Sequence, residues 1–186
     1  NIAKSLPTSL WLNEIANKYQ VELFETPVGF KHLSRYLDSG DALIAGEESG
    51  GVGFSFHIPE RDGLLASLKI IEYLIKEKKT LRNLRKDLRK TYGDFHYERE
   101  DLNVESRIVD SVRKDPEKHI NPLCKKFGIT KKQIILEDGI KLNLNKDSWV
   151  MVRASGTEPV LRVYCESSEK KNVPSIINDF KKTLFE

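Results

Sequence analysis

Residues 149–165 read WVMVRASGTEPVLRVYC. Val150 and Val152 precede a short polar segment, and Val160, Leu161, Val163 and Tyr164 follow it. Two runs rich in β-branched and aromatic residues, separated by Gly and Pro, predict a pair of antiparallel strands joined by a tight turn. Arg153, Ser155, Gly156 and Thr157 gather at the tip, with Arg162 on the returning strand. Arginine forks hold phosphate oxygens in pairs. Ser155 and Thr157 offer hydroxyl donors, and backbone N–H groups around Gly156 can form an anion nest. The chemistry fits a dianion such as a phosphate monoester. The alternative is a hairpin tip with incidental arginines.

Working outward, 133–136 and 140–144 read as further strands, and Glu137-Asp138-Gly139 suits a hairpin turn between them. Helical periodicity marks 106–113, 122–127 and 173–185, the last with Ile176, Ile177, Phe180 and Leu184 on one face. This region is expected to be an α+β unit with an antiparallel sheet. Upstream, Tyr92-Gly93-Asp94 breaks a helix and 95–104 looks extended. The organisation expected is therefore an α/β domain over 1–93, a hinge or linker over 94–103, and a C-terminal domain over 104–186.

The first region alternates helical and strand-like segments, which implies an α/β layer. Helices are expected over 9–19, with Ser9 as N-cap, and over 30–37. Another is expected from Asp62, carrying Leu64, Leu65, Leu68, Ile71, Leu74 and Ile75. Strands are expected at 21–24 and 43–45. Residues 80–91 (TLRNLRKDLRKT) form an amphipathic helix with a basic face. That face could take an anion or nucleic acid, or simply meet water. It lacks the interleaved aromatics on which bases stack.

After the apolar run 43–45 comes GEESGGVGF, residues 46–54. A glycine-rich loop at a strand end is where open α/β sheets bind ligands. Glu47, Glu48 and Ser49 suit sugar hydroxyls, which both donate and accept; carboxylates repel phosphate. A surface turn with solvated glutamates remains the alternative. The loop is not a Walker motif, since no GK[ST] follows. Further on, HIPERDG (57–63) places Arg61 just before a helix start, a position favourable to anions. Equally, Asp62 could cap that helix while Arg61 points to water.

Composition narrows the function classes. The chain has 186 residues, 39% apolar and 32% charged, with a net charge of +3, which permits anionic partners without demanding nucleic acid. No apolar run approaches the ~18 residues of a membrane span. The two cysteines, Cys124 and Cys165, are isolated, which fits a reducing, cytoplasmic setting. The four histidines are scattered without zinc-ligand spacing. The single Met is Met151, so the chain reads as a piece of something longer or a processed chain.

GEESGG followed by HIPERDGLLASLKIIEYL, together with VRASGTEPVLRVYCES and ETPVGFK (25–31), resembles the C-terminal half of the α-D-phosphohexomutases, the phosphoglucomutase/phosphomannomutase enzymes. The resemblance implies an incomplete third family domain, lacking its first strand and helix. A fourth domain like the TATA-binding-protein fold, without DNA binding, would follow. It implies sugar contacts at Glu47 and Ser49, with Lys31 and Arg61 nearby. It assigns the phosphate that is not being transferred to Arg153, Ser155, Gly156, Thr157 and Arg162. Some members have His where Gly51 stands here. The family's phosphoserine loop (TASHN-like) and magnesium loop (DGDGDR-like) do not occur in this sequence. The expectation is an isomerase in the full-length protein, acting with Mg2+ on hexose phosphate through hexose 1,6-bisphosphate. This chain would be inactive alone, bind no metal, nucleic acid or membrane, and partner the missing N-terminal domains. A free-standing phosphosugar-binding module and a basic nucleic-acid-binding module are the competing readings.

Overall fold

The computed structural model describes residues 1–155 and 158–185. It divides into two compact units, Asn1–Asp94 and Phe95–Glu186.

The first unit is built on a four-stranded sheet. β1 (Ile2–Ser5) lies between β2 (Leu23–Thr26) and β3 (Ile44–Gly46), parallel to both, and β4 (Val52–Phe54) closes the edge antiparallel to β3. The crossovers are α1 (Trp11–Tyr19), from β1 to β2, and α2 (Phe30–Asp38), from β2 to β3. Right-handed crossovers running in opposite directions place their helices on opposite faces of the sheet. Accordingly Phe30, Leu33 and Leu37 of α2 pack on Ala3 and Ala45. Leu12 and Ile15 of α1 instead line a cavity with Ile2 and Ile44, whose side chains alternate to the other face.

IAKS carries no alternation that would announce β1. Its Lys4 and Ser5 are nonetheless fully buried. Lys4 Nζ donates to the carbonyls of Thr8 and Ser9, both at 3.3 Å, and to Asn13 Oδ1, and pairs with Glu25 Oε1 at 3.2 Å. A buried ammonium survives only when its donors are met in this way. Ser9 accepts the Trp11 N–H at 3.2 Å, but the helix itself starts at Trp11 without a side-chain cap.

α3 (Gly63–Glu77) and α4 (Leu81–Tyr92) complete the unit. Asp62 caps α3 by accepting the Leu65 N–H at 2.9 Å, and Thr80 caps α4 through Asn83 at 3.3 Å. Neither helix contributes a fully buried residue. Leu64, Leu68, Ile71 and Ile75 of α3 lie at least half exposed. Between these helices and the sheet run apolar cavities of about 330 and 560 Å³, which share Ile44, Val52 and Leu88.

The second unit holds a five-stranded antiparallel sheet in the order β5-β9-β8-β7-β6. Its strands are β5 (His96–Asn103), β6 (Ile134–Ile135), β7 (Ile140–Asn145), β8 (Ser148–Ala154) and β9 (Val160–Ser167). α5 (Ser106–Lys114), α6 (Ile120–Phe127) and α7 (Asn172–Phe185) supply its helices. Val150, Val152, Leu161, Val163 and Cys165 point into one core with Val109, Leu123, Ile177 and Phe180. The alternate residues Trp149, Met151, Arg153, Arg162, Tyr164 and Glu166 therefore share the opposite face. On that face Trp149 donates its indole N–H to Glu166 Oε2 at 3.1 Å.

The hinge or linker expected over 94–103 is instead mostly β5, paired with β9 from His96↔Ser167 to Asn103↔Val160. The extended reading of 95–104 fits the strand, and an edge strand tolerates the charge of HYEREDLN when neighbours answer it. Here Arg99 takes Asp101 and Lys181 takes Glu100. Among the described residues no helix is long and apolar enough to cross a membrane.

Candidate functional site

Two sets of polar groups stand at strand ends, one in each unit. In the first, parallel strands β2, β1 and β3 direct their C-terminal ends to one edge, the location at which open α/β sheets bind ligands. Glu47 follows β3 and is 9% exposed. Its Oε1 accepts the Gly29 N–H at 3.1 Å, and its Oε2 accepts Arg61 Nη1 at 3.1 Å. The turn that carries it is closed by Glu47 N–H to Gly51 O at 2.9 Å and Gly50 N–H to Glu47 O at 3.1 Å. Arg61 also lies over the Phe30 ring, 5.8 Å from its centroid, with its guanidinium largely in solvent.

Glu47 thus ties the GFK segment to Arg61, so the structure brings Glu47, Arg61 and the start of α2 together. Lys31 lies exposed in the first turn of α2, and Ser49 lies exposed at the loop tip. A side chain at Gly51 would meet Glu47 Oε2 and Arg61 Cδ, each at 3.2 Å, and would press on this pair. Asp62, beside Arg61, has its carboxyl held below the usual carboxylate value, first by the Leu65 N–H and then by His57, whose Nε2 is 3.0 Å away.

Residues that sequence reasoning passes over also belong to this edge. Ser5 Oγ, at the end of β1, donates to Glu48 Oε2 at 2.9 Å and lies 2.8 Å from Thr8 Oγ1. The only signal in the sequence is Ser5-Leu6-Pro7-Thr8-Ser9, a polar turn that becomes informative once IAKS is known to be a central strand.

In the second unit, Arg153 and Arg162 are directly opposite each other on β8 and β9. Arg162 is in turn opposite Asp101 on β5. Arg153 donates Nε–H to Asp138 Oδ2 at 2.8 Å. The row across the sheet therefore runs acid, arginine, arginine, acid. Like charges facing across strands destabilise a sheet. If the guanidinium centres keep the ~5 Å spacing of facing Cβ atoms, their repulsion is roughly 3 kcal/mol at an effective dielectric of 20.

The flanking acids relieve that repulsion only in part. Asp101 binds Arg99 through both oxygens, at 2.7 and 2.6 Å, and that bond is the main reason its carboxyl is held below its ordinary value. It stands 3.7 Å from Arg162 Nε, which is buried without a hydrogen bond. Among the described residues nothing takes the terminal Nη groups of Arg153 or Arg162. Two adjacent forks with open ends suit a phosphate dianion.

Ser155 is buried, its N–H donating to Val160 O at 2.8 Å and its carbonyl accepting from Arg113 Nη2 on α5. Arg113 fixes the base of the loop, and nothing in the sequence announces it. Gly156 and Thr157, expected to contact phosphate, lie outside the described residues. Among the described residues no three His, Cys, Asp or Glu side chains converge to hold a metal ion. Glu47, Asp62, Asp101 and Asp138 are engaged with Arg61, Arg99, Arg153 and backbone N–H groups, and Glu48 with the Ser5 hydroxyl.

Comparison with known proteins agrees with both units. Residues 1–92 match the domain described as phosphoglucomutase/phosphomannomutase, alpha/beta/alpha domain III, and residues 105–182 match the C-terminal domain of the same enzymes. A phosphoglucomutase/phosphomannomutase of Thermococcus kodakarensis is 34% identical over 171 residues, covering 91% of this chain and 35% of that protein. Phosphoglucomutase-1 of Bos taurus is 31% identical over 193 residues, covering 90% and 34%. The chain thus spans about a third of the length of these relatives. In fold, the open form of a Paramecium phosphoglucomutase (parafusin) superposes with a TM-score of 0.80 at 24% identity, covering 99% of this chain and 37% of that one. The two family models together cover most of the chain, and the chain belongs to the phosphoglucomutase/phosphomannomutase family.

Proposed function

We propose that this chain is the substrate-recognition part of a phosphohexomutase, an isomerase that interconverts hexose 1-phosphate and hexose 6-phosphate through a hexose 1,6-bisphosphate. The observation that carries the reading is the facing pair Arg153 and Arg162, whose Nη groups no described residue takes and whose charge is only partly neutralised. Arg153 and Arg162 take the phosphate that is not being transferred, and the buried base of the loop at Ser155 holds the backbone in place for them. Gly156 and Thr157 supply further N–H and hydroxyl donors. Glu47 and Ser49 read sugar hydroxyls, while Lys31 and Arg61 offset phosphate charge near the first site.

A bisphosphate intermediate presents either end to the same phosphate site after it turns over. Donors aimed at a dianion, with no close fit to the ring, accept both orientations. The contribution of these residues is positioning and charge neutralisation. The motifs that carry the family's nucleophile and magnesium do not occur in this sequence, so the chain by itself binds without turnover. Magnesium in such an enzyme would neutralise charge on the transferring phosphoryl group. The binding roles of Arg153, Arg162, Glu47 and Ser49 require no metal.

The test is an amide NMR titration with glucose 1,6-bisphosphate, in the wild type and in Arg153→Ala. Shifts at residues 153–162 and 46–51 that the variant abolishes are expected. No shift at millimolar ligand would remove the reading.

A further inference from the structure

The two facing arginines are not held alike. Arg153 donates its Nε–H to Asp138 Oδ2 at 2.8 Å. Arg162 also has an acid opposite it, Asp101 on β5, yet its Nε stays 3.7 Å from Asp101 Oδ2, beyond hydrogen-bond distance. That Nε is buried and has no partner among the described residues. A buried donor left unmet is costly, so some other contact must keep the nearby carboxylate from it. Arg99 makes that contact. It stands two residues before Asp101 on the edge strand, and therefore on the same face of the sheet. Its Nε donates to Asp101 Oδ1 at 2.7 Å and its Nη2 to Oδ2 at 2.6 Å, so both carboxylate oxygens are turned towards it. Its guanidinium lies 5.9 Å from the ring centroid of Tyr164, its buried register partner on β9. The fork is anchored at the ring, and Asp101 is anchored to the fork.

We infer that Arg99 is a positioning residue for the phosphate site: by holding Asp101 it keeps that carboxylate from pairing with Arg162, whose charge stays available to the anion. The inference rests on the reading of Arg153 and Arg162 as the phosphate-binding pair. Arg153 is already answered by Asp138, so Arg162 carries the uncompensated charge of the row. Arg99 needs no contact with the ligand to act in this way. Without Arg99, a small rotation of the Asp101 side chain closes the gap to Arg162 Nε. An incoming phosphate then competes with a carboxylate already in place.

The test titrates the chain with inorganic phosphate by calorimetry, in the wild type, Arg99→Gln, Asp101→Asn and the double variant. Arg99→Gln is expected to weaken phosphate binding about threefold, the scale of an ion pair open to water. In the Asp101→Asn background the same change should cost nothing, because no carboxylate is left to restrain. The signature is therefore the failure of the two substitutions to add. If Arg99 served only as one more positive charge near the ligand, or only to support the strand, its removal would cost the same in both backgrounds. That result would overturn the inference, as would no loss in either background. Wild-type affinity too weak to measure, or unchanged in Arg162→Ala, would instead remove the phosphate-site reading, and this inference with it.

Discussion

Gly139 runs so close beneath the Val152 carbonyl that a Cβ built on it would stand 2.1 Å from that oxygen. Its φ of +103° is also one that side-chain-bearing residues rarely adopt. Two constraints thus fix glycine at the turn between β6 and β7, and the turn places Asp138 against Arg153. Gly139→Ala is expected to destabilise the second unit by roughly 2–4 kcal/mol. Urea unfolding should show a lower midpoint at unchanged slope, and anion affinity should fall because Asp138 moves.

Removal of either fork should weaken phosphate capture. Arg153→Ala and Arg162→Ala are each expected to lose about 10-fold or more in affinity for inorganic phosphate, as for charge-assisted bonds. Arg153→Lys should not restore it, because an ammonium cannot hold Asp138 through one N–H while offering a planar pair to the ligand. Calorimetric titration of the three variants would decide this, and full affinity in Arg153→Lys would speak against the bidentate geometry.

His119 gives the second unit an acid-sensitive point. Its Nε2 lies 2.8 Å from Ser111 Oγ, and burial, helped by Lys118, lowers its pKa below the ordinary 6.5. The folded form therefore holds the proton less tightly than the unfolded chain. This contribution is present above about pH 6.5 and is lost as pH falls through the folded value. Stability measured at pH 7.5 and 5.5 should fall on acidification, by less in His119→Asn. NMR titration of the ring gives the pKa directly.

The cysteines should react at different times. Cys165 lies in the core, where burial and then Glu166 push its thiol up to about 12. Cys124 is only partly buried. One equivalent of a thiol reagent should be consumed at pH 8 by Cys124, and the second only on unfolding. Raised pKa also means that stability falls as pH climbs from about 9 towards 12, since only the unfolded chain can ionise there. Cys165→Ala should flatten that alkaline limb.

The second unit is the more legible in the sequence. β8 and β9 are runs rich in β-branched and aromatic residues, the Asp138-Gly139 turn has its usual chemistry, and the arginines fall in register because the hairpin is short. What escapes a sequence reading is tertiary. Asp138 reads as a turn residue, and its bond to Arg153 exists only because β7 pairs with β8. β5 reads as extended, but its place in the sheet does not show, because its charges are answered by residues far away in sequence, Lys181 among them. In the first unit β1 is invisible, since a central strand with a buried Lys and Ser defies every hydrophobic pattern. With it go Ser5, Thr8 and the distinction between Glu47 and Glu48. Burial of polar groups that satisfy one another leaves no periodicity to read.

The facing arginines also set the energetic state of the empty protein. Without an anion, their repulsion works against the sheet that holds them; with one, the same charges hold it together. A ligand that binds only the folded form adds about 2.7 kcal/mol of stability at one hundred times its Kd. The choice of buffer is then a choice of stability: phosphate solutions should protect the second unit against heat, while zwitterionic buffers at the same ionic strength should leave it to melt earlier.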